Sequence, residues 1–304
     1  DRDYKELRDS LSYYLGIPAA NIIPGNGATE LIGLTFQVLC PKNALLLAPT
    51  YSEYTREISL AGGSYKEYFL KEENDFHLDL EDLKNHLTKD VDLFAFCNPN
   101  NPTSSALDTG EIREILEHCR RQGIFVMIDE TYVEFAPDIQ KISAVPLVPD
   151  YDNLMILRGT SKFFAVPGLR LGYGLCSNSR FLEELSRIKN PWTINTLAAV
   201  SGGVMFQDES YIQRTRSLIS EERKRCLDIL SQCPQYKTYP AFANFLLVRL
   251  MDGTTSFEMF EKCIRKNLMI RDCSSFEGLQ GEYIRFCIQT KEANDRLLKI
   301  LTEQ

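Results

Sequence analysis

Short, almost uninterrupted apolar runs alternate with amphipathic stretches through the middle of the chain. The runs cover 44–48 (ALLLA), 91–97 (VDLFAFC), 124–130 (IFVMIDE), 153–158 (NLMILR) and 171–176 (LGYGLC). Segments this short and this apolar predict strands buried on both faces. Between and around them, helical periodicity predicts helices over 28–40, 52–61, 79–87, 108–122 and 179–188. Strands that alternate with helices predict an α/β fold built on a largely parallel sheet. The helix over 108–122 is the best punctuated. Asp108 can cap its start, Ile112, Ile115, Leu116 and Cys119 form its apolar stripe, and Gly123 follows as a stop.

The texture changes after about residue 210. A long charged helix (SYIQRTRSLISEERKRCLDILSQC, 210–233) leads into ANFLLVRL, a helix over 255–267, then LMIRDC and EYIRFCIQT. This predicts a smaller α+β unit. The opening residues form a helical stripe of Tyr4, Leu7, Leu11, Tyr14 and Leu15. They are expected to pack with that unit. The division is therefore a large domain over 20–210 and a small domain from 1–19 and 211–304. The first residue is Asp1 rather than Met, so the chain is expected to lack its natural start, and no targeting signal can be judged.

Composition narrows the function. Lys and Arg number 34 against 42 Asp and Glu, a net charge of −8. An acidic chain without a basic stripe argues against nucleic acid or an anionic membrane as partner. No apolar run approaches the ~20 residues that span a bilayer. Nine scattered cysteines without a CxxC pair suggest reduced thiols and a cytoplasmic setting. With three histidines, no metal site is expected.

Four segments carry candidate chemistry. In IIPGNGATELIGLTFQVL, glycines precede Ala28 and Thr29 at a helix start, where free N–H groups suit a phosphate. Taken alone, the segment is better read as a plain glycine turn capped by Thr29, since it is neither GxGxxG nor a P-loop. In FCNPNNPTSSAL, two Asn-Pro steps hold a rigid turn directly after a strand, where open α/β sheets place ligands. In FVMIDETYVEF, Asp129 and Glu130 end a buried strand, which is costly unless a cation faces them. Tyr132 can reach the same pocket. In LRGTSKFFAVPGLRLGY, Lys162 sits beside two phenylalanines and near Arg170. Desolvation and a like charge both favour a neutral amine, which can form a Schiff base. A surface lysine is the commoner case, but it leaves the pattern around Lys162 unaccounted for. Arg271 and Arg285 each lie in or beside an apolar strand, and two such arginines facing a cleft would make an anion site.

In order, GNGATE, PTYSEY, NPNNPT, DETY, TSK, GLRLGY and a C-terminal arginine resemble the fold-type I pyridoxal 5'-phosphate (PLP) enzymes of the class I/II aminotransferase superfamily. The resemblance spans nearly the whole chain. It implies an α/β large domain with a mostly parallel seven-stranded sheet between helices, a smaller α+β C-terminal domain, and a homodimer. It also implies roles. Lys162 would carry the PLP aldehyde and shuttle a proton, and Asp129 would bind the ring nitrogen. Asn101 and Tyr132 would bond the ring's 3-oxygen, and Tyr51 would stack on the ring. Ala28, Thr29, Ser161 and Arg170 would hold the phosphate. Two positions depart from the pattern. Gly159 stands where a hydroxyl residue is usual, so that one phosphate contact is either missing or supplied by Thr160, and Ser104 stands where glycine is usual. In similar enzymes, a segment upstream of the position of Asp1 lends a tyrosine to the partner's cofactor phosphate.

ANFLLV, RDCSSFEGL and YIRFCIQT look like the histidinol-phosphate aminotransferase subgroup, whereas NPWTINTLAA looks like threonine-phosphate decarboxylase. Either implies a small phosphorylated amine or amino acid. Arg271 and Arg285 would clamp its phosphate, Asn195 and Asn244 would line the pocket, and Trp192 would form a wall. The expected reaction is transamination of histidinol phosphate with 2-oxoglutarate. The alternative is decarboxylation of threonine phosphate. A non-catalytic PLP-binding regulatory domain is a third reading, disfavoured by the intact Lys162, Asp129 and Arg285.

Overall fold

In the computed structural model, which describes residues 1–302, the alternation becomes a seven-stranded sheet in the order β1-β7-β6-β5-β4-β2-β3. The strands are β1 Ile22–Gly25, β2 Asn43–Ala48, β3 Ser64–Phe69, β4 Leu93–Cys97, β5 Phe125–Asp129, β6 Leu154–Gly159 and β7 Gly172–Leu175. Only β7 runs against its neighbours β6 and β1. The helices of this part are α1 Lys5–Leu15, α2 Ala28–Leu39, α3 Glu53–Leu60, α4 Leu80–His86, α5 Thr109–Gln122, α6 Ile139–Ile142, α7 Ser179–Ile188 and α8 Thr196–Met205. The apolar runs are explained by burial on both faces. In β5, Val126 and Ile128 enter one core while Met127, between them, enters the other. Helix α5 has the expected punctuation, with a capping box between Asp108 and Glu111 and Gly123 left-handed at its end.

Register sets the position of the site. Cys97 of β4 lies opposite Asp129 of β5, which lies opposite Leu157 of β6. The loops that follow these three parallel strands therefore emerge side by side.

The C-terminal part holds α9 Glu209–Leu230, β8 Tyr236–Thr238, β9 Phe245–Leu250, α10 Ser256–Ile264, β10 Arg271–Asp272, β11 Tyr283–Cys287 and α11 Lys291–Thr302. Its sheet is antiparallel, in the order β10-β11-β9-β8. Ser104 ties the loop after β4 to the chain entering β9. Its φ of 63° is the left-handed region that favours glycine, and its hydroxyl accepts from the N–H of Phe242 (3.1 Å) and Ala243 (2.9 Å). Two hydrogen bonds to a buried hydroxyl account for a serine at this position.

The opening helix is not where the sequence placed it. Helix α1 packs chiefly on α8 and β1 of the large part. Gly202 permits this contact, because a Cβ there would lie 2.3 Å from Leu7 Cδ1. Tyr14 of the same helix donates to Glu134, in the segment after β5, at 2.9 Å. An amphipathic stripe shows that a helix is buried on one side without showing against what.

A buried ion pair lies behind the sheet end. Arg158 of β6 bonds Glu130 at 2.7 Å, and both are almost fully buried. The Ser143 hydroxyl and the Ala144 N–H also donate to Glu130. Removing one partner leaves an uncompensated charge in the interior. Arg158→Met is therefore expected to cost ~3–5 kcal/mol of stability in urea denaturation, and adding Glu130→Leu is expected to recover part of that loss.

Candidate active site

Nine of the ten residues expected to contact a cofactor line one cleft of about 230 Å³ at these strand ends: Ala28, Thr29, Tyr51, Asn101, Asp129, Tyr132, Ser161, Lys162 and Arg170. Thr160 is the exception. It is fully buried, and its hydroxyl donates to the Leu171 carbonyl at 3.1 Å. Leaving β6, successive side chains point to opposite sides, so Thr160 turns away from the cleft that Gly159 and Ser161 face.

Asp129 is 5% exposed. One carboxylate oxygen accepts from the Tyr54 hydroxyl at 2.8 Å. The other accepts from the Thr131 N–H at 2.9 Å and from the Thr131 hydroxyl. Burial pushes the carboxyl above its ordinary pKa, and the bonds from Thr131 and Tyr54 and the Lys162 charge pull it back. The sequence reading missed Tyr54 and Thr131. Tyr54 is fully buried, and its ring meets Tyr51 edge-on at 5.8 Å. The signal was the spacing of three residues between Tyr51 and Tyr54, which puts both on one side of a helix start.

The start of α2 forms a cradle. Gly27 has φ of 80°, and a Cβ there would lie 2.5 Å from Arg170 Nη2. A Cβ on Gly172 would lie 2.4 Å from the Ala28 nitrogen. Only glycine allows Arg170 and β7 to approach the exposed N–H groups this closely. A helix N-terminus, Thr29, Ser161 and a guanidinium together suit a dianion. Tyr51 also bonds Thr29, which opposes the upward push of burial on its phenol.

Lys162 is exposed at the open cleft, which corrects the expectation of a dry amine. The chain turns tightly here, with the Ala165 N–H donating to the Lys162 carbonyl at 3.2 Å. The turn buries Phe163 and Phe164 and leaves Lys162 as the side chain facing the cavity. Its ammonium lies 6.0 Å from the centre of the Tyr132 ring. That ring meets Phe245 edge-on at 5.0 Å.

A second cavity of about 420 Å³ shares Tyr51 and Asn101 with the first and holds both predicted arginines. Arg271 and Arg285 are direct partners on β10 and β11. Like charges in that position repel unless an anion lies between them. Neither forms a salt bridge among the described residues. Arg285 donates to the Asn101 side chain, lies 4.9 Å from the Phe245 ring centre, and keeps a buried Nε without a partner. Arg271 donates to the Ser275 hydroxyl at 2.8 Å.

Three predicted substrate residues line neither cavity. Trp192 is 73% exposed. Asn195 is exposed and caps α8, accepting from the Ala198 N–H at 2.9 Å and donating to the Leu169 carbonyl at 3.0 Å. Asn244 is half-buried just before β9, and its side-chain oxygen has no partner. A helix cap and a cleft ligand can use the same side-chain type, and the sequence did not separate them.

A lysine, a buried aspartate and an anion cradle at the ends of parallel strands fit, in that order, the aldehyde, ring nitrogen and phosphate of PLP. Residues 1–301 match the family described as aminotransferase class I and II. The chain belongs to the class I and II aminotransferase family. It is a PLP-dependent enzyme of the transaminase type. It is 32% identical over 301 residues to threonine-phosphate decarboxylase of Salmonella typhimurium, covering 99% of this chain and 81% of that protein. It is 33% identical over 301 residues to histidinol-phosphate aminotransferase of Methanococcus maripaludis, covering 98% and 80%. The crystal structure of histidinol-phosphate aminotransferase from Clostridium acetobutylicum superposes with a TM-score of 0.93 at 30% identity, covering 99% of this chain and 88% of that one.

Asp129 also predicts a pH effect. Its raised value means that the folded protein keeps a proton there after the unfolded chain has lost it. This contribution is complete below the ordinary carboxylate value of about 4 and is lost as pH rises through the folded value. In urea denaturation of the cofactor-free protein, the stability of Asp129→Asn relative to wild type should therefore rise with pH above about 4. A difference that stays constant with pH contradicts this.

Proposed function

We propose that this enzyme transfers the amino group of a small phosphorylated amine, histidinol phosphate, to 2-oxoglutarate. The observation that carries the substrate class is the unpaired Arg271–Arg285 couple, which opens on the same space as the Lys162 cleft through Tyr51 and Asn101. Such a couple grips phosphate, and also the carboxylate of a second substrate, through bidentate bonds. The likeness to histidinol-phosphate aminotransferases at 30–33% identity supports the reading.

PLP, when bound, supplies an aldehyde that captures amines and a ring that withdraws electrons from the neighbouring carbon. The chain's residues would do the rest. Asp129, steadied by Tyr54 and Thr131, would keep a proton on the ring nitrogen. Asn101 and Tyr132 would bond the ring's 3-oxygen, and Tyr51 would cover the ring. The N-terminus of α2, with Thr29, Ser161 and Arg170, would hold the phosphate. Lys162 would hold the aldehyde and, once displaced from it by the substrate amine, would be the base that moves a proton at the substrate's Cα. Arg271 and Arg285 would hold the substrate's anionic group and so orient its Cα toward Lys162.

A decarboxylase acting on threonine phosphate is the second reading, supported by NPWTINTLAA and by the Salmonella typhimurium relative. The same groups would serve it if the substrate were held so that the bond to its carboxylate, rather than its Cα–H bond, is the one broken. Glutamate formation from histidinol phosphate and 2-oxoglutarate is the expected result. Release of CO₂ from threonine phosphate alone, without glutamate formation in the first assay, would replace the first reading with the second.

No helix among the described residues is long and apolar enough to cross a membrane. We place the protein in the cytoplasm, which nine free cysteines support. We also propose a homodimer. Leu197, Val200 and Val204 of α8 are 73%, 65% and 68% exposed, a contiguous apolar face of the kind that buries itself against a second copy.

Lys162→Ala should abolish the absorbance of covalently attached PLP. Arg271→Gln and Arg285→Gln should each raise KM for the phosphorylated amine by roughly 10- to 100-fold, the value of a lost charged hydrogen bond. Leu197→Glu with Val200→Glu should convert dimer to monomer in sedimentation. A wild type that sediments as a monomer contradicts the dimer.

A further inference from the structure

We propose that Tyr211, on α9 of the C-terminal part, is a positioning residue that holds Lys162 at the cleft. This inference rests on Lys162 being the amine that takes up PLP.

The backbone after Lys162 is held from behind. Tyr211 donates its hydroxyl to the Phe163 carbonyl at 2.8 Å. Its ring stacks on Phe164, with centres 5.9 Å apart and planes at 14°. Five residues further along α9, the Arg216 guanidinium lies 5.7 Å from the Phe163 ring centre and donates to the Glu134 carbonyl at 3.3 Å. Phe163 and Phe164 stand edge to face at 5.3 Å, so Tyr211 and Arg216 grip two rings that cannot move independently.

Lys162 itself has no such restraint. Its side chain is exposed, and among the described residues it forms no salt bridge or hydrogen bond. A flexible four-carbon stem can direct its amine only as well as the backbone beneath it is fixed. Ala165, at the end of the same turn, has φ of 55°, a conformation an alanine keeps only when its surroundings impose it. Tyr211 supplies the hydrogen bond within that turn that reaches in from another element.

The same helix also reaches the chain entering β9. Arg223 donates to the carbonyls of Phe135 at 2.9 Å and Ala243 at 2.8 Å. Strand β9 pairs with β11, which carries Arg285. Helix α9 thus fixes the amine and the anion site against one rigid rod.

The test is Tyr211→Phe, which keeps the stacked ring and removes only the hydroxyl. Tyr236→Phe is the control. Tyr236 makes the same kind of bond, hydroxyl to the Leu301 carbonyl at 2.8 Å, away from the site. Both variants should lose similar thermal stability. Tyr211→Phe alone should speed hydrogen exchange of the amides over 160–166, slow PLP capture by the cofactor-free protein by roughly tenfold or more, and lower kcat with KM for the amine unchanged. Wild-type exchange and capture in Tyr211→Phe, or equal changes in Tyr236→Phe, would overturn the proposal. A wild type that captures no PLP would instead overturn the proposed function, while the exchange comparison would still decide the role of Tyr211.

Discussion

A carboxylate at the inner end of a central strand is an expensive object. Asp129 lies where β4, β5 and β6 end together, away from water, and burial alone would drive it to its neutral form. The structure surrounds it with donors instead. Tyr54 and Thr131 occupy both oxygens, and the Lys162 ammonium faces it across the cleft. What is left over is a directed negative field in a small cavity, of use to a ligand that brings a protonated ring nitrogen. Much of the rest of the large part serves to keep that arrangement in place. The parallel register sets the height of Asp129, and the Glu130–Arg158 pair anchors the residue beside it.

The two parts divide the chemistry. The large part supplies the lysine, the aspartate and the anion cradle at α2. The C-terminal part supplies two guanidiniums on adjacent strands, an arrangement that favours an anion between them. Contacts between the parts are polar and specific, as where Arg285 meets Asn101 and where Ser104 receives the backbone of Phe242 and Ala243.

Much of this was legible in the sequence because its causes are local. Buried strands must be apolar on both faces, so β2 and β4–β7 showed as apolar runs. A capping box and a left-handed glycine bracketed α5. The residues of the cleft stood out because glycines and Asn-Pro steps mark turns, and a lysine or aspartate among apolar residues is costly. The failures have a common cause in tertiary direction. Nothing local says that Thr160 turns its hydroxyl to Leu171, that Trp192 faces solvent, that Asn195 serves as a helix cap, or that α1 lies on α8. Tyr54 escaped because a tyrosine in an amphipathic helix is ordinary until its partner is known. The exposure of Lys162 reverses the first expectation. Dryness was inferred from Phe163 and Phe164, yet the turn sends those rings inward and the amine outward.

The central claim is that Asp129 is a buried acid made to face a cationic ring. The most direct measurement is a pH titration of its carboxyl stretch by infrared difference against Asp129→Asn, with and without PLP. In the cofactor-free protein the carboxyl should titrate above the ordinary range for aspartate. With PLP bound it should stay ionised to a clearly lower pH. An identical titration in the two states would mean that Asp129 does not face the ring nitrogen, and the account would fail.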